Sequence, residues 1–336
     1  MIKKIKLARY GLVLVVILLF FGAGVTSSFG RAFIERDISQ DINSSFIDLN
    51  PLGNILYVGG SGLGNYSNIQ DAIDNATDGD TVFVYDDCSP YIENLIINKS
   101  INLIGENWET TVIDGNLKDS STIIVNSNHV KIEGFTIFNS NSSGLRLMES
   151  EGCYISGNII KLNNKYGLSL IDSSNNTISG NRISYNINGI FFLLASRNTI
   201  SENKISNNEY GIRLYRKSRY NIIKSNIISN NKNGITLCGS MFPTFIFNIL
   251  LDGSTHNTIT KNNFLDNEKD AFFQNSRSNR WKRNYWNKSR ILPKLIFGEL
   301  YICRLQGTPP HTIDHFIPWI PKIEWRPALK QYDIGV

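Results

Sequence analysis

Two carboxylates stand at a spacing that invites chemistry. Glu149 and Asp172 lie 23 residues apart, each five residues after a glycine, Gly144 and Gly167. Two residues after these glycines and their successors stand Arg146, Ser169, Phe191, Arg213 and Thr236, and Arg216 continues the carboxylate column. If each interval is one coil of a stacked structure, the two carboxylates sit on neighbouring coils about 4.8 Å apart. Such a pair could work as general acid and base, or as nucleophile, on a sugar. The arginines would hold a uronate carboxylate, and Phe191 would stack on the ring. The same residue types also serve as solvated corner residues whose charges make weak surface pairs.

A metal site has one candidate in the sequence, His311 with Asp314 and His315. The prolines at 309, 310 and 318 oppose a helix there, and a surface loop accounts for the cluster as well. Copper and calcium are the ions to consider. Calcium draws several carboxylates together, and the repeats hold no dense Asp cluster. No resident cofactor is expected.

The elements that position these residues follow from a repeat. Gly144, Gly167, Gly189, Gly211 and Gly234 recur at steps of 23, 22, 22 and 23. The columns Ile132, Ile155, Ile178, Ile200, Ile223 and Ile137, Ile160, Ile183, Ile205, Ile228 keep the same step, as do Asn163, Asn186, Asn208 and Asn231. Ile259, Phe264 and Asn267 rejoin these columns after about 14 extra residues, an insertion that must bulge from one edge. Each unit holds three short β-branched runs separated by Asn or Gly, which excludes helix pairs. The fold class is therefore all-β, a parallel β-helix of about eight coils with Ile columns inside. Asn at the corners is expected to take the left-handed backbone conformation and to stack its amide on the next coil. The 41 Asn and 47 Ile of this 336-residue chain thereby become structural.

The ends differ from this body. Residues 1–30 carry Lys3, Lys4, Lys6 and Arg9, then the apolar run Leu12 to Phe21 and small residues, the layout of a cleaved export signal or an N-terminal membrane anchor. Either reading places the rest of the chain outside the cytoplasm, with the membrane met only through that segment. Residues 31–53 read as a linker, 54–287 as the β-helix and 288–336 as a C-terminal cap. Within the β-helix, 54–85 form a cap and regular coils occupy about 95–287. In the cap, Ser67 or Asn68 begins a short helix that buries Ile69, Ala72 and Ile73. Aromatic residues of the tail, among them Trp281, Tyr285, Trp286, Trp319 and Trp325, would close the last coil. Cys88, Cys153, Cys238 and Cys303 permit two disulfides or free thiols. Four of the five net positive charges lie in the first 30 residues, and residues 31–276 carry 19 basic against 25 acidic groups. That balance excludes nucleic acid as a partner of the body.

The stretch YVGGSGLGNYSNIQDAIDNATDGDTVFV followed by Asn/Ile/Gly coils resembles the NosD-like right-handed β-helix proteins. These belong with the pectin-lyase-like folds and the carbohydrate-binding and sugar-hydrolysis domains, and the tail is similar to caps of archaeal surface members. The resemblance implies a right-handed helix and, for NosD itself, copper supply to a periplasmic reductase. Four functions are thus in view. The first is an exported envelope protein that binds carbohydrate or another extended polymer along an outward face. The alternatives are a glycan-cleaving lyase or hydrolase, a copper-delivery accessory protein, and a structural or adhesive rod.

Overall fold

Isoleucine columns at a 22–23-residue step can be buried only if successive coils lie in register, and the chain does this from residue 55 onward. The computed structural model describes residues 53–239 and 253–287 and, of the tail, 294–296, 298–302, 315–318, 322–324, 328 and 330–334. The export segment, the insertion at 240–252, Trp319, Trp325 and Cys303 lie outside these residues. Three parallel sheets run the length of a right-handed β-helix. Sheet A has ten strands from Ile55–Val58 to Arg280–Lys282, and sheet B has nine from Tyr91–Ile92 to Tyr285–Trp286. Sheet C has nine parallel strands, from Leu95–Ile97 through Lys269–Gln274 to Gly298–Ile302, and His315–Pro318 makes the tenth, antiparallel at its end.

The rod therefore has about ten turns, more than the eight expected. The additional rungs come from Ile55–Val58 and Thr81–Val84, which pair in parallel although they belong to the cap region, and from Gly298–Ile302 in the tail. Register follows the sequence columns: Ile155 pairs with Ile132 and Ile178, and Ile160 with Ile137 and Ile183. These side chains are fully buried, each stabilising the core by about 1.5–3 kcal/mol. The recurrent glycine allows close approach between coils: a Cβ on Gly189 would lie 2.6 Å from the Gly211 carbonyl oxygen.

The corner asparagines stack their amides from coil to coil as expected, but in this column the left-handed residue is the one before the ladder Asn. Asn163, Asn186, Asn208 and Asn231 are buried, and the residue before each of them takes the left-handed conformation: Leu162, Tyr185, Asn207 and Asn230. The buried amide turns inward and forms a ladder. Asn186 Nδ2 donates to Asn208 Oδ1 at 3.1 Å, and the same oxygen accepts the Asn186 backbone N–H at 3.0 Å. Two further ladders run through Asn158, Asn181, Asn203, Asn226, Asn262 and Asn284, and through Asn176, Asn198, Asn221, Asn257 and Asn279. Burial of so many amides is affordable only because every one is bonded to the coil beside it.

The first coils are held otherwise. Helix α1 (Ile69–Asn75) buries Ile69, Ala72 and Ile73, with Asn68 as N-cap residue. The Asn68 side chain does not cap it; the Glu93 carboxylate accepts the N–H groups of Ile69 and Gln70 at 2.8 and 2.9 Å. At the other end Lys99 Nζ donates to the carbonyls of Ile73, Asp74 and Ala76. Both charges complement the helix dipole. At the far end Trp286 stacks on Phe264 at 4.3 Å, Trp281 lies 6.0 Å from Trp286, and both indoles are buried. Cys88, Cys153 and Cys238 are free thiols.

Candidate functional site

Sheet C differs from its neighbours in strand length. Its central strands have six residues, for example Tyr166–Ile171 and Tyr210–Tyr215, where those of sheets A and B have three. Side chains alternate across a strand, but the recurrent glycine breaks the phase, because a Cβ there would point at the core Ile and Asn. Each sheet C strand therefore presents positions one before, two after and four after that glycine, stacked in register with the next coil. The middle column runs Ile124, Arg146, Ser169, Phe191, Arg213, Thr236, Phe272. The flanking columns run Ser143, Tyr166, Asn188, Tyr210, Asn233 and Met148, Ile171, Leu193, Tyr215, Cys238.

These columns make a flat ledge. Tyr166 stacks on Phe191 at 4.6 Å and 28°, and Phe191 on Tyr215 at 6.3 Å and 28°. The Arg213 guanidinium lies 4.7 Å from the Tyr210 ring centre and 5.7 Å from that of Tyr215. Arg146 donates to Ser142 Oγ at 2.7 Å above the Ser143–Ser169 hydroxyl pair. Burial lowers the basicity of Arg146, with Tyr166 opposing; a guanidinium remains cationic at neutral pH. Burial also raises the Cys238 thiol, against the pull of Arg213, which keeps it protonated and a poor nucleophile. Four buried side-chain atoms on this face have no hydrogen-bond partner: Arg146 Nε, Arg213 Nε, Asn188 Oδ1 and Thr236 Oγ1. These atoms keep hydrogen-bonding capacity for a ligand or for water.

Of the residues singled out in the sequence, Arg146, Phe191 and Arg213 meet on this ledge. Glu149, Asp172 and Arg216 lie on the corner that follows it, exposed and in the left-handed conformation at φ 50°, 49° and 40°. Glu149 and Asp172 occupy neighbouring coils, their backbone N–H groups donating to Ile171 and Leu193. Neither carboxylate has a hydrogen-bond or ion-pair partner among the described residues. Tyr166, Tyr210 and Tyr215 lie in neither of the two columns that hold Arg146 and Glu149; they stand one before and four after the recurrent glycine at the same step, a signal available in the sequence.

For a metal, no group of three or more His, Cys, Asp and Glu is close enough among the described residues. His256 stacks on Tyr220 at 5.2 Å in a corner column. His311 and Asp314 lie outside the described residues, and His315 begins an antiparallel strand opposite Ile302.

Comparison with known proteins adds three findings. The NosD family, described as periplasmic copper-binding protein, matches residues 73–302. A cell surface glycoprotein of Methanothermus fervidus is 33% identical over 93 residues, 27% of this chain and 15% of that protein, so the chain spans a small part of its relative. Pectate lyase Pel9A superposes with a TM-score of 0.52 at 15% identity, over 67% of this chain and 70% of that one. At this identity the likeness is one of fold.

Proposed function

Since the chain belongs to the NosD family, we propose that it is an extracytoplasmic β-helix protein that binds an acidic polysaccharide along the outward face of sheet C. The observation that carries this reading is the stacked Tyr166–Phe191–Tyr215 ledge flanked by Arg146 and Arg213. Guanidinium groups hold carboxylates with paired donors; Phe191 is covered on both faces by Tyr166 and Tyr215, so the aromatic stack offers a sugar its outward edges and the tyrosine hydroxyls. The basic, apolar N-terminal segment and the cell-surface relative support a place outside the cytoplasm. Copper has no ligand set among the described coils, so no part of this reading runs through the metal.

The test is titration of the intact chain with polygalacturonate and alginate oligomers. Arg213→Ala and Arg146→Ala should each weaken binding about tenfold, roughly 1.4 kcal/mol, whereas Phe191→Ala, which removes a buried ring, should also lower the unfolding temperature. Equal affinity of the parent and both arginine variants would sink the proposal. New reducing ends that disappear when Glu149 and Asp172 are both changed to Ala would make those two carboxylates catalytic and the protein a glycan-cleaving enzyme.

A further inference from the structure

The first coils carry a second recess of different character. Tyr57, Tyr85, Asp87, Asn65 and the glycine-rich loop 60–63 line an open recess of about 580 Å³. Tyr57 and Tyr85 stack at 6.0 Å and 21°, and Phe83 meets Tyr85 edge-on at 5.1 Å. The loop is fixed before any ligand arrives. Both Asp87 carboxylate oxygens accept the Gly60 N–H at 3.0 Å, Asn65 Nδ2 donates to the Gly59 carbonyl at 2.6 Å, and Gly59 N–H donates to Tyr66 at 2.9 Å. Gly59, Gly60 and Gly64 supply the positive φ that this path requires. A carboxylate has about four acceptor positions, so Asp87 retains capacity toward the recess.

Charge sets the ligand class. Residues 54–120 hold two lysines against eleven Asp and Glu, a net of −9. A field of that sign repels uronates and sulfated glycans. The aromatic floor with a carboxylate and an amide at its rim suits a ring bearing hydroxyl donors. We infer that this recess is a binding site for a neutral saccharide, separate from the sheet C ledge and independent of the reading given to it.

The experiment is hydrogen exchange of the intact chain with maltohexaose, mannohexaose and cellohexaose, and with polygalacturonate as the acidic counterpart. At least one neutral oligomer should protect the amides of residues 57–65, and polygalacturonate should not. Tyr57→Ala should raise the concentration needed about tenfold, and Tyr57→Phe, which keeps the ring, should restore it. Leu63→Arg at the fully exposed rim leaves the fold alone and should also abolish protection. Failure of all three neutral oligomers, protection by polygalacturonate, or parent-like behaviour of Tyr57→Ala and Leu63→Arg would overturn the inference. Loss of acidic-glycan binding at sheet C alone would leave it standing.

Discussion

The first coils and the middle coils build one fold by opposite means. Residues 54–120 net −9, while residues 121–239 hold 13 basic against six acidic groups, a net of +7. The acidic end is fastened by single contacts, Glu93 and Lys99 at the two ends of helix α1; the basic middle is fastened by asparagine ladders that repeat on every coil. A repeated device distributes stability evenly and leaves the outward positions free to vary. A unique device concentrates stability in a few residues at the edge, where no preceding coil exists to complete a ladder.

The sharpest way to break this contrast is to truncate one ladder residue. Asn203 is fully buried; its Nδ2 reaches Ile178, Ser201 and Asn226, and its Oδ1 accepts from Asn181. Asn203→Ala should cost about 3–5 kcal/mol in denaturant unfolding, because it leaves several buried groups unpaired. Asn102→Ala in the early coils, where the half-buried amide makes one 3.2 Å bond to Thr81, should cost less than about 1 kcal/mol. Equal costs would erase the distinction.

Lys99→Met tests the single-contact device. Losing three carbonyl contacts at the helix C-terminus should cost about 1–2 kcal/mol, with faster hydrogen exchange confined to residues 69–75. Exchange that accelerates throughout the middle coils would show that the cap is not a local fastener.

The smallest effect is confined to acid. Asp80 is held below the usual carboxylate range chiefly by the Thr77 backbone N–H, then by the Thr77 hydroxyl and by Asn54. Its folded value is depressed, so its contribution is complete above about pH 3.9, the ordinary Asp value, and is lost as pH falls through the lower folded value. Melting of the parent should fall more steeply in that window than melting of Asp80→Asn. Parallel acid profiles would remove Asp80 from the account.

The columns of Ile and Gly were legible because a fixed step along the chain became a fixed register in space. An inward-turned amide and a tolerant backbone both favour Asn, so residue type does not separate the ladder position from the left-handed one before it, which is Asn at 207 and 230 but Leu162 and Tyr185 elsewhere. Glu93 and Lys99 could not have been read as caps, since each acts on a helix more than 20 residues away. On the ledge Arg146, Phe191 and Arg213 are legible by period, and the tyrosines beside them keep the same step one before and four after the glycine; what period alone does not give is that these positions share a face with Arg146, since the inward glycine breaks the alternation.

The interval between Asn221 and Asn257 is 36 residues, yet their amides meet at 3.0 Å as those one ordinary coil apart do. Register is thus renewed at every coil and owes nothing to the length of chain between. A lineage with such a scaffold can lengthen a loop at one corner, or gain and lose whole coils, as a ruler gains and loses divisions, without renegotiating the rest of the molecule. Reach becomes a quantity that selection can adjust one notch at a time.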